Sequence, residues 1–241
     1  MQAKLSQLVQ SMAGVSGENI IPSGRFRDRR QAGRLLARIL SHLEERSPIV
    51  LALPRGGVVV GYEISRILGL PLDVIITRKI GAPDNPEYAI GAVAENGEVL
   101  LNRDEIDALG ASQNYIDAEI RHQQQEIARR VDLYRGGRGL TVLRDRIAVI
   151  VDDGVATGFT TATAIEAVRS EHPQKIHLAV PTAPRDTLAW LAGLADEVVC
   201  LDTPEPFLAV GRFYVNFSQV TDEEVRRYLE EAGGRERTLG A

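Results

Sequence analysis

Two adjacent carboxylates, Asp152 and Asp153, end an apolar run, Ile147-Ala148-Val149-Ile150-Val151, and a small-residue turn follows at once, Gly154-Val155-Ala156-Thr157-Gly158-Phe159-Thr160-Thr161. Two carboxylates at one strand tip repel each other unless a cation or hydrogen-bond donors lie between them. A sugar diol, or Mg²⁺ with its waters, supplies that. The alternative is a helix N-cap with a solvated neighbour. The turn favours the first reading. Gly154, Thr157, Gly158, Thr160 and Thr161 open a helical pattern, and the free N–H groups and dipole of a helix start suit a phosphate. There is no Gly-x-x-x-x-Gly-Lys, so this is no Walker loop. No Gly-x-Gly-x-x-Gly follows the first strand, so a dinucleotide site is unsupported.

The elements that must position these groups follow from periodicity. A helix is predicted over residues 28–45, with Leu35, Leu36, Ile39, Leu40 and Leu43 on one face. A strand over 49–53 ends at Pro54-Arg55-Gly56-Gly57, helix 58–69 follows, and a strand over 71–77 ends at Arg78-Lys79. Strand 147–151, helix 159–171, strand 176–181, helix 185–193 and strand 197–201 continue the alternation. Such alternation predicts an α/β fold with a parallel sheet covered by helices on both faces. Residues 80–140 break the rhythm. Asn96-Gly97 between two apolar stretches signals a type I′ hairpin. A polar helix over 112–134 carries a sparse stripe of Ile116, Ile120, Ile127 and Val131, and ends in a glycine-rich stop. This insertion reads as a hood over the carboxyl edge of the sheet, where ligands of such sheets bind. The domain is predicted over 25–232, with a leader at 1–24 and a frayed tail at 233–241.

The stretch around Asp152 and Asp153 resembles the phosphoribosyl-pyrophosphate (PRPP) signature of type I phosphoribosyltransferases: apolar run, acidic pair, small residues, Thr157-Gly158, then Thr160. Phe26-x-Asp28-Arg29, Ala32-Gly33, Leu53-Pro54-Arg55-Gly56-Gly57-Val58, Arg78-Lys79-Ile80-Gly81-Ala82-Pro83 and Glu87-x-Ala89-Ile90-Gly91-Ala92 resemble one bacterial subgroup of that family. So do Pro206-Phe207, Ala209-Val210-Gly211-x-Phe213-Tyr214 and Asp222-Glu223-Glu224-Val225.

The resemblance implies the type I phosphoribosyltransferase fold and transfer of the 5-phosphoribosyl group from PRPP to a small nitrogenous acceptor, with Mg²⁺ as cofactor. Asp152 and Asp153 match the pair that holds the ribose hydroxyls, with the metal arriving on the substrate or touching this pair. Ala156, Thr157, Gly158, Phe159 and Thr160 match the 5′-phosphate loop. Arg55, Gly56 and Gly57 match the pyrophosphate loop, whose preceding peptide is often cis in the family. Arg78, with Lys79 beside it, matches a basic residue that reaches the pyrophosphate. Asp152, Asp153, Arg55 and Arg78 are thus the catalytic set. Where 6-oxopurine enzymes carry an aspartate, this chain has Ala156, so hypoxanthine and guanine are disfavoured as acceptors. A regulator that binds PRPP or a nucleotide without turnover is the competing reading.

Other residues carry weaker signals. Phe207, Phe213 and Tyr214 could stack on a base or belong to the core. Arg135 and Arg138 read as a mobile linker or as a phosphate-reaching loop. Helix 112–134 could be a dimer arm, and a homodimer is expected. Cys200, the one cysteine, lies in an apolar run and reads as a buried structural thiol. The four histidines have no metal-ligand spacing. The chain of 241 residues is 44% hydrophobic and 25% charged, as a packed domain requires. Its net charge of −5 weighs against non-specific nucleic-acid binding. No run approaches the roughly 18 apolar residues of a membrane span. A cytoplasmic protein is expected.

Overall fold

The computed structural model describes residues 25–46 and 48–239; the leader at 1–24 and the final two residues of the tail lie outside the described residues. Helix α1 (Arg29–Leu40) is capped by Asp28, whose side chain accepts from the Gln31 N–H at 2.7 Å. It buries Leu35, Leu36 and Leu40, then tightens into a 3₁₀ turn, Ser41–Arg46, where the periodicity predicted continued α-helix. Then come β1 (Ile49–Ala52), α2 (Gly56–Leu68), β2 (Leu72–Val74), β3 (Thr77–Ala82), β4 (Asn85–Ala94) and β5 (Val99–Leu101). Helices α3 (Arg103–Leu109) and α4 (Gln113–Arg135) follow, then β6 (Ile147–Val151), α5 (Phe159–Ser170), β7 (Lys175–Thr182), α6 (Arg185–Leu191), β8 (Glu197–Asp202) and α7 (Asp222–Leu239).

Strands β2-β1-β6-β7-β8, in that order, form a parallel sheet, and β3-β4-β5 form an antiparallel one. Alternate residues of the central strands feed opposite cores. Ile49, Leu51, Ala148 and Ile150 pack with α5 and α6, while Val50, Ile147, Val149 and Val151 pack with α1 and α2. This is the period-2 rule with both faces covered, which is why these strands read as continuous apolar runs. Each fully buried Val, Leu or Ile contributes roughly 1.5–3 kcal/mol. Glu63, buried in α2, ties α1 to α2 by accepting from Arg30 at 3.1 Å and lying 3.7 Å from Arg34, and it also takes Arg66 at 2.7 Å.

The crossover from β1 runs outward to β2 and the one from β6 runs outward to β7, on opposite faces. The crevice between β1 and β6 is therefore the topological switch point of the sheet. The α/β fold class expected from the alternation is the observed one.

The inserted region departs from expectation in three ways. First, the chain leaves the parallel sheet at Val74, and Thr77 already starts the second sheet. The apolar residues Val74, Ile75 and Ile76 are all buried, so composition gave no mark of the exit. Second, the hairpin at Asn96-Gly97 forms, but only Gly97 has positive φ, at 91°. Gly97 N–H donates to Ala94 O at 3.0 Å and Ala94 N–H to Glu98 O at 2.8 Å. That is a three-residue loop with one left-handed residue, where type I′ needs two. Third, Asn96 Nδ2 donates to Ser170 Oγ at 2.9 Å, at the far end of α5. The hairpin thus lies along the flank of α5, not only over the carboxyl edge. At the other end of the chain, α7 runs to Leu239, past the 232 boundary drawn from the sequence.

Candidate active site

The loops after β1 and β6 meet at the switch point. An ideal Cβ on Gly56 would stand 1.9 Å from Asp153 Oδ2, and one on Gly57 would stand 2.8 Å from Val151 O and 3.0 Å from Asp152 Cα. Neither contact is possible for a side chain. These two glycines exist because the backbone after β1 must press against the acid pair. The Pro54–Arg55 peptide is cis, as the resemblance implied.

Asp152 and Asp153 are not equivalent. Asp153 Oδ2 accepts from Arg29 Nε at 2.6 Å, a pair whose side chains are only 10% and 14% exposed. Arg29 is fixed in turn: its Nη1 donates to Ser218 O at 2.8 Å, and its guanidinium lies 3.8 Å from the centroid of the Phe217 ring. The Asp153 carboxyl also forms a side-chain hydrogen bond with that of Asp152. Asp152 Oδ1 accepts the Asp153 N–H at 2.8 Å. Burial first, and then the Asp153 charge, push the Asp152 carboxyl well above the usual carboxylate range. The pair favours one negative charge over two, as expected for adjacent acids with a single cation.

Gly158 begins α5 in the left-handed region, φ 86°, and no side chain caps the helix. The first N–H groups of α5 are left without side-chain acceptors, the condition for an anion cradle. The loop is braced from behind. Thr187 Oγ1 donates to Ala156 O at 2.9 Å, and Phe159 packs on Trp190 at 5.3 Å between centroids. Thr157 is exposed and Thr160 partly so.

Arg55 and Arg78 come within electrostatic range of each other, beside Arg130. Arg55 Nη1 lies 3.9 Å from Asp222 Oδ1, at the start of α7. Arg78 Nε donates to Gln123 Oε1 at 2.8 Å, and no carboxylate lies within ion-pairing distance of it among the described residues. Burial first, then the Arg130 charge, lower the affinity of Arg78 for its proton. The cluster holds more cationic charge than it pairs. Lys79 is not part of it. Adjacent strand residues face opposite ways, and Lys79 Nζ instead binds Glu87 Oε2 at 2.6 Å.

The aromatic candidates divide. Tyr214 is 3% exposed, stacks between Phe26 and Phe217, and donates its hydroxyl to Asp153 O at 2.5 Å. It has no free face for a base and acts as a brace. Phe207 and Phe213 stack on each other at 4.8 Å and are partly exposed. Their segment reaches the acid loop, since a Cβ on Gly154 would meet Val210 at 2.4 Å. Sequence reasoning gave no role at the site to Arg29, Gln123, Tyr134 or Asp222. Tyr134 Oη donates to Asp222 Oδ1 at 2.5 Å, completing the tether of the Arg55 loop. Cys200 is buried, and burial pushes its thiol up to about 12.

No cluster of three or more His, Cys, Asp or Glu side chains that could hold a metal is present among the described residues. The donors at the site are the acid pair alone, one oxygen of which Arg29 already occupies. Mg²⁺ commonly uses one or two carboxylates plus substrate phosphates and waters. The residues therefore fit a metal carried in on a diphosphate, not one held in a protein cage. No described helix is long and apolar enough to cross a membrane.

Residues 28–213 match the family described as phosphoribosyl transferase domain. The chain belongs to that family. It is 47% identical over 207 residues to the Mycobacterium tuberculosis (strain ATCC 25618 / H37Rv) protein named "Putative phosphoribosyl transferase Rv0571c", covering 86% of this chain and 47% of that protein. The same figures hold for MT0597, the similarly named protein of strain CDC 1551 / Oshkosh. The chain thus spans about half the length of these curated relatives. The crystal structure of TT1426 from Thermus thermophilus is similar at a TM-score of 0.72 and 45% identity, covering 86% of this chain and 98% of that one.

Proposed function

We propose that this domain transfers the 5-phosphoribosyl group of PRPP to a small nitrogenous acceptor and releases pyrophosphate. The contact between the two loops carries the reading. At Gly56 the Arg55 loop abuts Asp153, so groups suited to a sugar diol and groups suited to a diphosphate stand side by side, as one substrate bearing both requires.

In this reading the 5′-phosphate sits on the N–H groups that open α5, with Thr157 and Thr160 as further donors. The ribose hydroxyls meet the carboxyls of Asp152 and Asp153. The C–O bond to pyrophosphate breaks, and its electron pair leaves on the pyrophosphate oxygen. The acceptor nitrogen forms the new C–N bond from the opposite face with its lone pair. The acid pair stabilises positive charge on the ribose, and Arg55 and Arg78 stabilise the leaving group. Mg²⁺, bound with the substrate, supplies further neutralisation of the diphosphate. Ala156 brings no acid or base to the acceptor, which supports acceptors other than 6-oxopurines. The Phe207–Phe213 pair, on the segment that reaches the acid loop through Val210, is the candidate aromatic surface for the acceptor. A cytoplasmic homodimer completes the proposal; gel filtration that returns a monomer removes the second half of it.

Titration calorimetry with PRPP tests the binding step. Saturable binding that strengthens with Mg²⁺ is expected, and no binding with Mg²⁺ present overturns the proposal. A screen of bases for PRPP-dependent pyrophosphate release tests the chemistry. Tight PRPP binding with no release on any base assigns the chain to the non-catalytic class instead.

A further inference from the structure

We infer that Asp222 is the displaceable counter-ion of Arg55. The two are partners while the site is empty, and the diphosphate end of a ligand takes Arg55 away. Asp222 thereby sets how tightly that end is held and how readily pyrophosphate leaves. This role rests on the reading of the Arg55 loop as the diphosphate subsite. It makes Asp222 a positioning residue, since it acts through Arg55.

The two partners are held unequally. Asp222 opens α7, in the stretch Asp222-Glu223-Glu224-Val225. Its Oδ1 accepts from Tyr134 Oη at 2.5 Å and its Oδ2 from Arg129 Nη2 at 3.4 Å, both on α4. Arg129 is fixed in turn by Glu126, at 2.8 and 3.0 Å. The carboxylate is therefore anchored from the hood helix. Arg55 is not. Its Nη1 lies 3.9 Å from Asp222 Oδ1, beyond hydrogen-bond distance. Its guanidinium forms no hydrogen bond among the described residues, and its side chain is 33% exposed. The tether of the Arg55 loop thus ends in a charge contact, not in a bond.

The exchange is favourable on both sides. A diphosphate offers Arg55 charge-assisted, bidentate hydrogen bonds where Asp222 offers none. Leaving Asp222 costs little, because a partly exposed ion pair is weak. Asp222 keeps its two α4 partners when Arg55 departs, so no buried charge is stranded. It also stays ionised at neutral pH. Burial pushes its carboxyl up, but the bonds from Tyr134 and Arg129 and the charges of Arg130 and Arg55 outweigh that and hold it below the usual carboxylate range. The 5′-phosphate cradle is built by other elements, α5 and α6, which carry none of these groups. Asp222 therefore acts on one end of the substrate only.

The test is titration calorimetry of the full chain and of Asp222→Asn, with pyrophosphate and Mg²⁺ and, separately, with ribose 5-phosphate. Asparagine keeps an oxygen for Tyr134 and removes the charge. The variant is expected to bind pyrophosphate about two- to fivefold more tightly, the size of a partly exposed charge pair, and ribose 5-phosphate as the parent does. A merely structural role gives the opposite sign: a looser loop, weaker pyrophosphate binding and a lower Tm. Equal or weaker pyrophosphate binding in the variant overturns the inference. A second measurement needs no variant. In the ¹H–¹⁵N spectrum of the parent, pyrophosphate is expected to move the Arg55 Nε–H signal and to leave that of Arg129, which Glu126 holds. An unmoved Arg55 signal in a chain that binds pyrophosphate likewise overturns it. A parent that binds no pyrophosphate at all removes the diphosphate subsite itself, so the two failures are distinct.

Discussion

The two edges of the parallel sheet present their positive groups by different means. At the carboxyl edge, the groups suited to phosphate are largely backbone: the N–H groups that open α5 and the loop at Arg55-Gly56. At the amino edge the positive groups are three long arginine side chains that line a cavity. Backbone sites are positioned by what the loops touch, so they tolerate almost no added atoms. Side-chain sites are positioned by flexible stems and tolerate more. The first kind holds one geometry, which chemistry at a ribose carbon demands.

The sharpest way to break this contrast is Gly56→Ala. A methyl group at 1.9 Å from Asp153 Oδ2 must displace the acid or the loop. PRPP-dependent turnover is expected to fall by about 10²–10³-fold, the cost of losing one preorganised charged group, with the far-ultraviolet circular dichroism retained. Near-parental turnover means the contact does not organise the site. Next in size is Arg29→Gln. Removing one partner of a buried ion pair leaves an uncompensated charge and costs about 3–5 kcal/mol. Chemical denaturation is expected to show that loss together with weaker PRPP binding, and a variant as stable as the parent denies Arg29 its role.

Asp152→Asn pits stability against function. The folded protein holds this carboxyl well above its unfolded value near 3.8. A folded state that binds more protons than the unfolded one loses stability as pH rises through that window. Removing the ionisable group is therefore expected to raise the melting temperature at pH 7, by about 2–4 °C per kcal/mol recovered, and to leave it little changed near pH 3. Turnover falls in the same variant. A lower Tm at pH 7 contradicts the assigned environment. The mildest change is Gln123→Ala, which frees Arg78 without moving its charge. A rise of about two- to fivefold in the KM for PRPP with kcat nearly intact is expected, given that one hydrogen bond is worth roughly 0.5–1.5 kcal/mol. An unchanged KM separates Arg78 from the substrate.

Much of the site was legible because its parts are local in sequence. An apolar run, two acids and a Gly/Thr turn make a strand, a tip and a helix start within fifteen residues of chain. Asn102 and Gly110 bracket α3 with an N-cap and a left-handed stop, so both ends of that helix are written locally. Gln123 also left a trace, as a polar residue set within the stripe of Ile116, Ile120 and Ile127. Other features had no local sign. Lys79 and Arg78 are adjacent letters of one basic pair, and only strand geometry sends one to Gln123 and the other to Glu87. For Tyr214 the sequence left base stacking and core packing both open, and only its neighbours, Phe26 and Phe217, place it in the core.

By itself the amino-acid sequence determined the alternation of strands and helices, the acid pair and the Gly/Thr turn that opens a helix, since these depend on side-chain period and on residues that touch within one turn. The tertiary structure alone decided that Arg29, 124 residues before Asp153, neutralises it. It alone decided that Gly56 must be bare to let two loops meet, and that Arg135 is buried with donors to spare. The reason is the same in each case: burial and pairing are properties of surfaces brought together by folding, and no single segment contains both surfaces.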